Sequence, residues 1–131
     1  MTRTDRQVAG DAAEGLVAER LAGRGWVVLG RNVRFGRCEL DIVAVDPGPP
    51  ARLVVVEVRW RTSRAFGGAE ESFDFRKRGH LRMGAGRLLE AGCLPDGSTL
   101  PHLPVAVDLA VVEPGSGGRP VVKLYRNALG E

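Results

Sequence analysis

Apolar residues recur at three- and four-residue spacing from Val8 through Ala12, Ala13, Leu16, Val17 and Leu21. That spacing predicts a helix over about Val8 to Ala22, stopped by Gly23 and Gly25. The run Trp26-Val27-Val28-Leu29 then reads as a short strand, and Arg31, Arg34 and Arg37 as a basic loop. Glu39 to Val45 alternates, with Leu40, Ile42 and Ala44 on one face and Glu39, Asp41 and Val43 on the other. Asp46-Pro47-Gly48-Pro49-Pro50 must turn, and Leu53 to Trp60 is apolar enough for a central strand. A loop of this length favours an antiparallel hairpin between these two strands. A second helix is expected from about Phe75 to Ala91, although Gly79, Gly84 and Gly86 each weaken it by about 1 kcal/mol against Ala. Val105 to Val112 and Val121 to Tyr125 complete a helix-β-β-β-helix-β-β order. The expectation is an α/β fold: a central mixed β-sheet flanked by α-helices.

A chain of 131 residues suits one domain, 1–131, with a core over about 7–126. Its 44% hydrophobic and 27% charged residues are globular in proportion. The net charge is +3, nearly all of the positive side being Arg, since Lys77 and Lys123 are the only lysines. Cys38 and Cys93 make no disulfide framework, and no apolar run reaches the roughly 20 residues of a membrane span. The N-terminal MTRTDRQVAG lacks a signal-peptide core, so the expected setting is cytoplasmic, away from membranes, with reduced thiols.

The chemistry is carried by acids inside apolar patterns. Glu57 interrupts a β-branched run, and Val55, Glu57, Arg59 and Arg61 share one face of that strand. A turn centred near residue 49 sets Asp41 opposite Glu57, an unfavourable like-charge pair unless a cation relieves it. Glu14 lies at the edge of the first helix's apolar stripe, where it can look toward the sheet. Three acids and a guanidinium would then converge on one sheet face. Oxygen-rich clusters of that kind suit Mg²⁺ or Mn²⁺, which lower the pKa of bound water and neutralise phosphate charge. The bland alternative is a local Glu57–Arg59 ion pair on a strand, with the other acids solvated.

Arg31, Arg34 and Arg37 before the acidic strand, and Arg59, Arg61 and Arg64 after it, would attract phosphates. Phe35 and Trp60 could stack on an exposed base, though Trp60 is expected in the core. His80 and His102 with Cys38 and Cys93 match no compact zinc spacing, and no glycine-rich nucleotide loop is present.

The segments Gly10-Asp11-Ala12-Ala13-Glu14, Leu21-Ala22-Gly23-Arg24-Gly25-Trp26 and Arg31-Asn32-Val33-Arg34 resemble the opening of the bacterial UPF0102 (YraN-like) family. The resemblance continues through Arg37-Cys38-Glu39-Leu40-Asp41-Ile42-Val43, Val55 to Arg61, Phe66-Gly67, Lys77 and the Asp108 strand, over about residues 7 to 112. It implies a restriction-endonuclease-like fold with a PD-(D/E)xK metal site. Asp41 would be the motif's Asp, Glu57 its second acid, Glu14 the helix-borne acid and Glu39 the Glu of the family's GEID-like strand. Cys38 stands where that pattern has Gly, and Arg59 replaces its usual Lys. Arg cannot serve as a base, but it orients phosphate and stabilises transition-state charge. Lys77 on the second helix is the alternative ammonium.

The expectation is therefore a Mg²⁺- or Mn²⁺-dependent nuclease acting on nucleic acid, DNA before RNA and branched or single-stranded in one version. Asp41, Glu57 and Glu14 would hold the metal, Arg59 would touch the phosphate, and Arg34, Arg37, Arg61 and Lys77 would bind the nucleic acid. The alternative is a non-catalytic nucleic-acid-binding module in which Arg59 marks lost chemistry. Monomer and homodimer both remain open.

Overall fold

A computed structural model describes residues 5–61 and 75–129, with side chains over 10–61 and 78–129. Helix α1 spans Asp5–Gly23 and is followed by strands β1 (Val27–Phe35), β2 (Cys38–Asp46) and β3 (Arg52–Trp60). Helix α2 (Phe75–Ala91), β4 (Val105–Pro114) and β5 (Pro120–Tyr125) complete the order. The five strands form one mixed sheet in chain order. Only β3 and β4 run parallel, joined by the segment that contains α2. The other neighbours are antiparallel.

Each face of the sheet is covered by one helix. Ala13, Val17 and Leu21, at four-residue spacing on α1, pack with Trp26, Ile42, Ala44, Val54, Val56, Ala110 and Val112. On the opposite face Leu81, Ala85 and Leu88 of α2 meet Leu40, Val43, Leu53, Val55, Leu109 and Val111. Fully burying such a side chain contributes about 1.5–3 kcal/mol. Gly84 earns its place in α2 despite its helix cost. A Cβ there would stand 2.8 Å from Leu40 Cδ2, so glycine is what lets helix and sheet approach.

Two expectations are corrected. The basic stretch after Leu29 is not a loop, because β1 continues to Phe35, pairing Arg31 with Ile42 and Arg34 with Glu39. A register shift between Val28 and Gly30, and a positive φ of 50° at Asn32, break the alternation by which that strand would be read. Phe35 and Cys38 close this hairpin across Gly36 (φ 62°) and Arg37. In β2 the alternation slips near Asp41: Leu40 joins Val43 on the α2 side, whereas Ile42 and Ala44 lie on the α1 side.

Candidate metal and nucleic-acid site

The β2–β3 hairpin has the register that the turn placement predicts, with Ile42 opposite Val56 and Val43 opposite Val55. The ladder stops there, one position short of Asp41 and Glu57. Past that point the Asp41 carboxylate takes over the edge of β3, its Oδ2 accepting the Val58 amide at 2.8 Å. The acid is thus fastened to the backbone between Glu57 and Arg59.

Glu14 meets it from α1. This carboxyl is half-buried, and its Oε1 is enclosed without a hydrogen-bond partner. Burial pushes its pKa up to about 7, helped by the charge of Asp41 and, more weakly, of Glu39, against the opposing pull of Arg31. With its proton affinity raised beside the Asp41 charge and Oε1 unpartnered, Glu14 suits a proton or a cation.

Glu57 stands apart from that pair. It is 5% exposed, and strand alternation puts it with Val55 on the side opposite Val54, Val56 and Val58. Its Oε1 lies 3.6 Å from Arg59 Nε, an ion-pair distance too long for a hydrogen bond. The local pair of the bland reading is therefore present. The expected convergence of three acids on one face is not: among the described residues no three His, Cys, Asp or Glu side chains are grouped to hold a metal ion. Alternation sends Glu57 and Arg59 to one side, while Asp41, at the slip in β2, feels Glu14 on the other.

The basic residues divide by rigidity. Because β2 and β3 are antiparallel, the β1–β2 turn lies at the same end of the sheet as the end of β3. Arg34 and Arg37 occupy that turn region, both exposed, with Arg34 Nη2 only 3.4 Å from exposed Glu39. Arg61 is better held: its amide donates to the Val112 carbonyl at 2.8 Å, and its Nη1 lies 3.5 Å from buried Glu113. Lys77 falls in α2, but its side chain, like Arg64 and Phe66-Gly67, lies outside the described residues. Trp60, expected in the core, is 42% exposed as the last residue of β3, past Val58, where the α1-side cluster ends on that strand.

A second acidic cluster escaped the sequence reading. Asp46 accepts from Gly48 N (2.9 Å), from Arg52 Nη2 (2.9 Å) and from Arg126 Nη2 (3.0 Å). Asp108, fully buried, accepts from Asn127 N at 3.0 Å and from Arg52 Nη2 at 3.3 Å. Apart from this cluster, near the end of β4, Glu113 is 3% exposed and forms a 2.9 Å ion pair with Lys123 beside its contact with Arg61. Asp108 interrupts an apolar run just as Glu57 does, so that signal was visible but did not reveal what each acid would meet.

Among the described residues no helix is long and apolar enough to cross a membrane. The model of an uncharacterised protein family, UPF0102, matches residues 13–112. A UPF0102 protein of Symbiobacterium thermophilum is 36% identical over 120 residues, covering 91% of this chain and 93% of its own. One from Dehalococcoides mccartyi is 33% identical over 127 residues, 97% of either chain. One from Pseudomonas putida is 43% identical over 82 residues, 63% of this chain and 64% of its own.

Proposed function

The chain belongs to the uncharacterised family UPF0102, and on that premise we propose that it is a restriction-endonuclease-like nuclease, hydrolysing phosphodiester bonds in nucleic acid with Mg²⁺ or Mn²⁺. One observation carries the reading. Among the described residues, the only buried polar side-chain atoms without a hydrogen-bond partner are Glu14 Oε1, beside Asp41, and Arg59 Nε, beside Glu57 on the other side of β3, where Asp41 holds the amide between Glu57 and Arg59. Native proteins seldom leave such groups unsatisfied, and the exceptions gather where a ligand completes them. An unsatisfied carboxylate oxygen beside Asp41 fits a hard divalent ion, and an unsatisfied guanidinium nitrogen fits an anion.

Asp41 and Glu14 would hold the ion, while Glu57, on the other side of the strand and tied to Arg59, would join them only by leaving that pair. When bound, the ion supplies Lewis-acid stabilisation of phosphate charge and a more acidic water. A guanidinium is no general base, so the role of Arg59 is to orient the scissile phosphate and stabilise the added charge of the transition state. Glu57 holds that guanidinium near its working position. Arg34, Arg37 and Arg61 attract the backbone from the same end of the sheet, with Lys77 as a further candidate.

The Glu57–Arg59 pair also favours a second reading, in which the chain binds nucleic acid without cutting it. Cleavage of labelled branched, single-stranded and duplex DNA and RNA in Mn²⁺ or Mg²⁺ separates them, with EDTA and Asp41→Ala as controls. Metal-dependent cutting lost in Asp41→Ala supports the nuclease. Salt-sensitive binding without cutting, with cutting gained in Arg59→Lys, supports the module. A melting temperature indifferent to Mn²⁺ in both wild type and Asp41→Ala argues against the metal.

A further inference from the structure

An indole 42% exposed on a strand between two arginines is a poor way to close a core and a good way to meet a base. The residues on either side of Trp60 are Arg59 and Arg61, and Arg34 and Arg37 lie at the same end of the sheet. Arg59 and Arg61 are paired with Glu57 and Glu113, but Arg37 is exposed and Arg34 meets Glu39 only with both side chains largely in water, so positive charge faces solvent at the indole's end of the sheet and favours a polyanion. The other aromatic candidate is excluded by its surroundings. Phe35 packs against the α2-side core, while its carbonyl accepts Arg87 Nη1 at 3.1 Å. Trp60 also lies on the useful face: alternation puts it with Val54, Val56 and Val58 on the α1 side, the side that carries Glu14. Along β3 it is about 7 Å from Val58, whose amide Asp41 holds.

We infer that Trp60 is a stacking platform for an unpaired base next to the phosphate at the candidate site, so that the substrate is single-stranded or locally unpaired nucleic acid. The inference rests on the nuclease reading for what happens at that phosphate, but not for the stacking itself. A duplex offers an approaching side chain only base edges and backbone, whereas an unpaired base offers its whole face. Arg61, fixed by Val112 and Glu113, would hold the neighbouring phosphate while the indole holds the base.

The chain contains two tryptophans, and Trp26 is only 9% exposed, so quenching of the exposed fluorescence reports Trp60. Binding of a short oligo(dT) and of a blunt duplex is measured in EDTA by fluorescence quenching and by anisotropy of the labelled strands. The expected result is quenching by oligo(dT), binding of oligo(dT) weakened roughly 10-fold or more in Trp60→Ala, largely restored in Trp60→Phe, and duplex binding changed less than about 2-fold. Thermal melts of both variants check that they fold. Equal oligo(dT) affinity in wild type and Trp60→Ala overturns the inference, as does equal weakening for single strand and duplex. A concentration-dependent fluorescence change without DNA overturns it in favour of self-association. If Mn²⁺-dependent, Asp41-dependent cleavage survives any of these outcomes, the nuclease reading stands alone. If stacking is seen and nothing is cut, that reading fails and the inference stands.

Discussion

The two ends of β3 carry acids in opposite conditions. At its start, Asp46 and Asp108 are buried to 7% and 0% exposure, yet each accepts both an arginine and a backbone amide. Burial pushes the Asp46 pKa up, but the Arg52 hydrogen bonds, the Gly48 amide and the Arg52 and Arg126 charges outweigh it and hold the carboxyl below its usual range. At the other end, Glu14 is less buried and less satisfied, and its pKa rises to about 7. Depth in the core therefore does not mark the candidate site. What differs is compensation: one cluster is met by arginines and backbone amides, whereas Glu14 Oε1 is enclosed with no hydrogen-bond partner and only the charge of Arg31 opposes its desolvation.

The sharpest way to break that contrast is to remove one acid from each end. Asp108→Ala strands the Asn127 amide and weakens the hold on Arg52, whose side chain is only 12% exposed. Breaking a buried ion pair of this kind costs about 3–5 kcal/mol. Asp41→Ala loses one hydrogen bond to the Val58 amide, a loss of about 1 kcal/mol, together with the repulsion it exerts on Glu14. Urea unfolding of the two variants should differ accordingly. Equal losses would mean that Asp41 is as structural as Asp108.

This difference explains how far the sequence could be read. Helical spacing found α1 and alternation found β2, the apolar run Leu53 to Trp60 found β3 with the hairpin register that brings Asp41 level with Glu57, and the expected second helix and last two strands match α2, β4 and β5. Most of β1 was hidden because the bulge after Val28 and the left-handed Asn32 remove the two-residue period that identifies a strand. The acids Glu57 and Asp108 look alike in sequence, each a carboxylate in a run of valines. Their partners differ in origin: Asp108 is met by Asn127 and Arg52 from distant parts of the chain, and Glu57 pairs with Arg59 two residues along its own strand. Sequence spacing also assumed strict alternation through β2, and the slip near Asp41 is what separates Glu57 from the Glu14–Asp41 pair.

The clusters also respond oppositely to pH. Asp46, with its carboxyl held low, contributes stability that is present above the ordinary Asp range and lost as the solution is acidified through it. Glu14 works the other way. Between its unfolded value of 4.5 and about 7 in the fold, the unfolded chain gives up a proton that the native state keeps. Stability therefore falls as pH rises across that window and stays lower above it. Glu14→Gln should leave stability unchanged near pH 4 and raise it above pH 7 by about 1–2 kcal/mol, less than the full shift implies because solvent screens a half-buried group. Denaturation profiles at the two pH values check this. A variant less stable than wild type at high pH would show that Glu14 has a partner after all.

The smallest effect on stability is expected at the exposed arginines, and it carries the clearest distinction between holding the fold and binding a ligand. Arg34 pairs with Glu39 at 3.4 Å, but both side chains are largely in water, at 73% and 44% exposure. Exposed pairs of this sort are worth little, so Arg34→Ala should change unfolding stability by less than about 0.5 kcal/mol, and Arg37→Ala by no more. If the two arginines meet phosphates, each substitution removes a counterion-releasing contact. The slope of log affinity against log salt for single-stranded DNA should then flatten by about 1 per arginine, without regard to sequence. An unchanged slope with unchanged stability would make these residues ordinary solvated charges. It would leave Arg59 and Arg61 to provide whatever attraction for phosphate the site has.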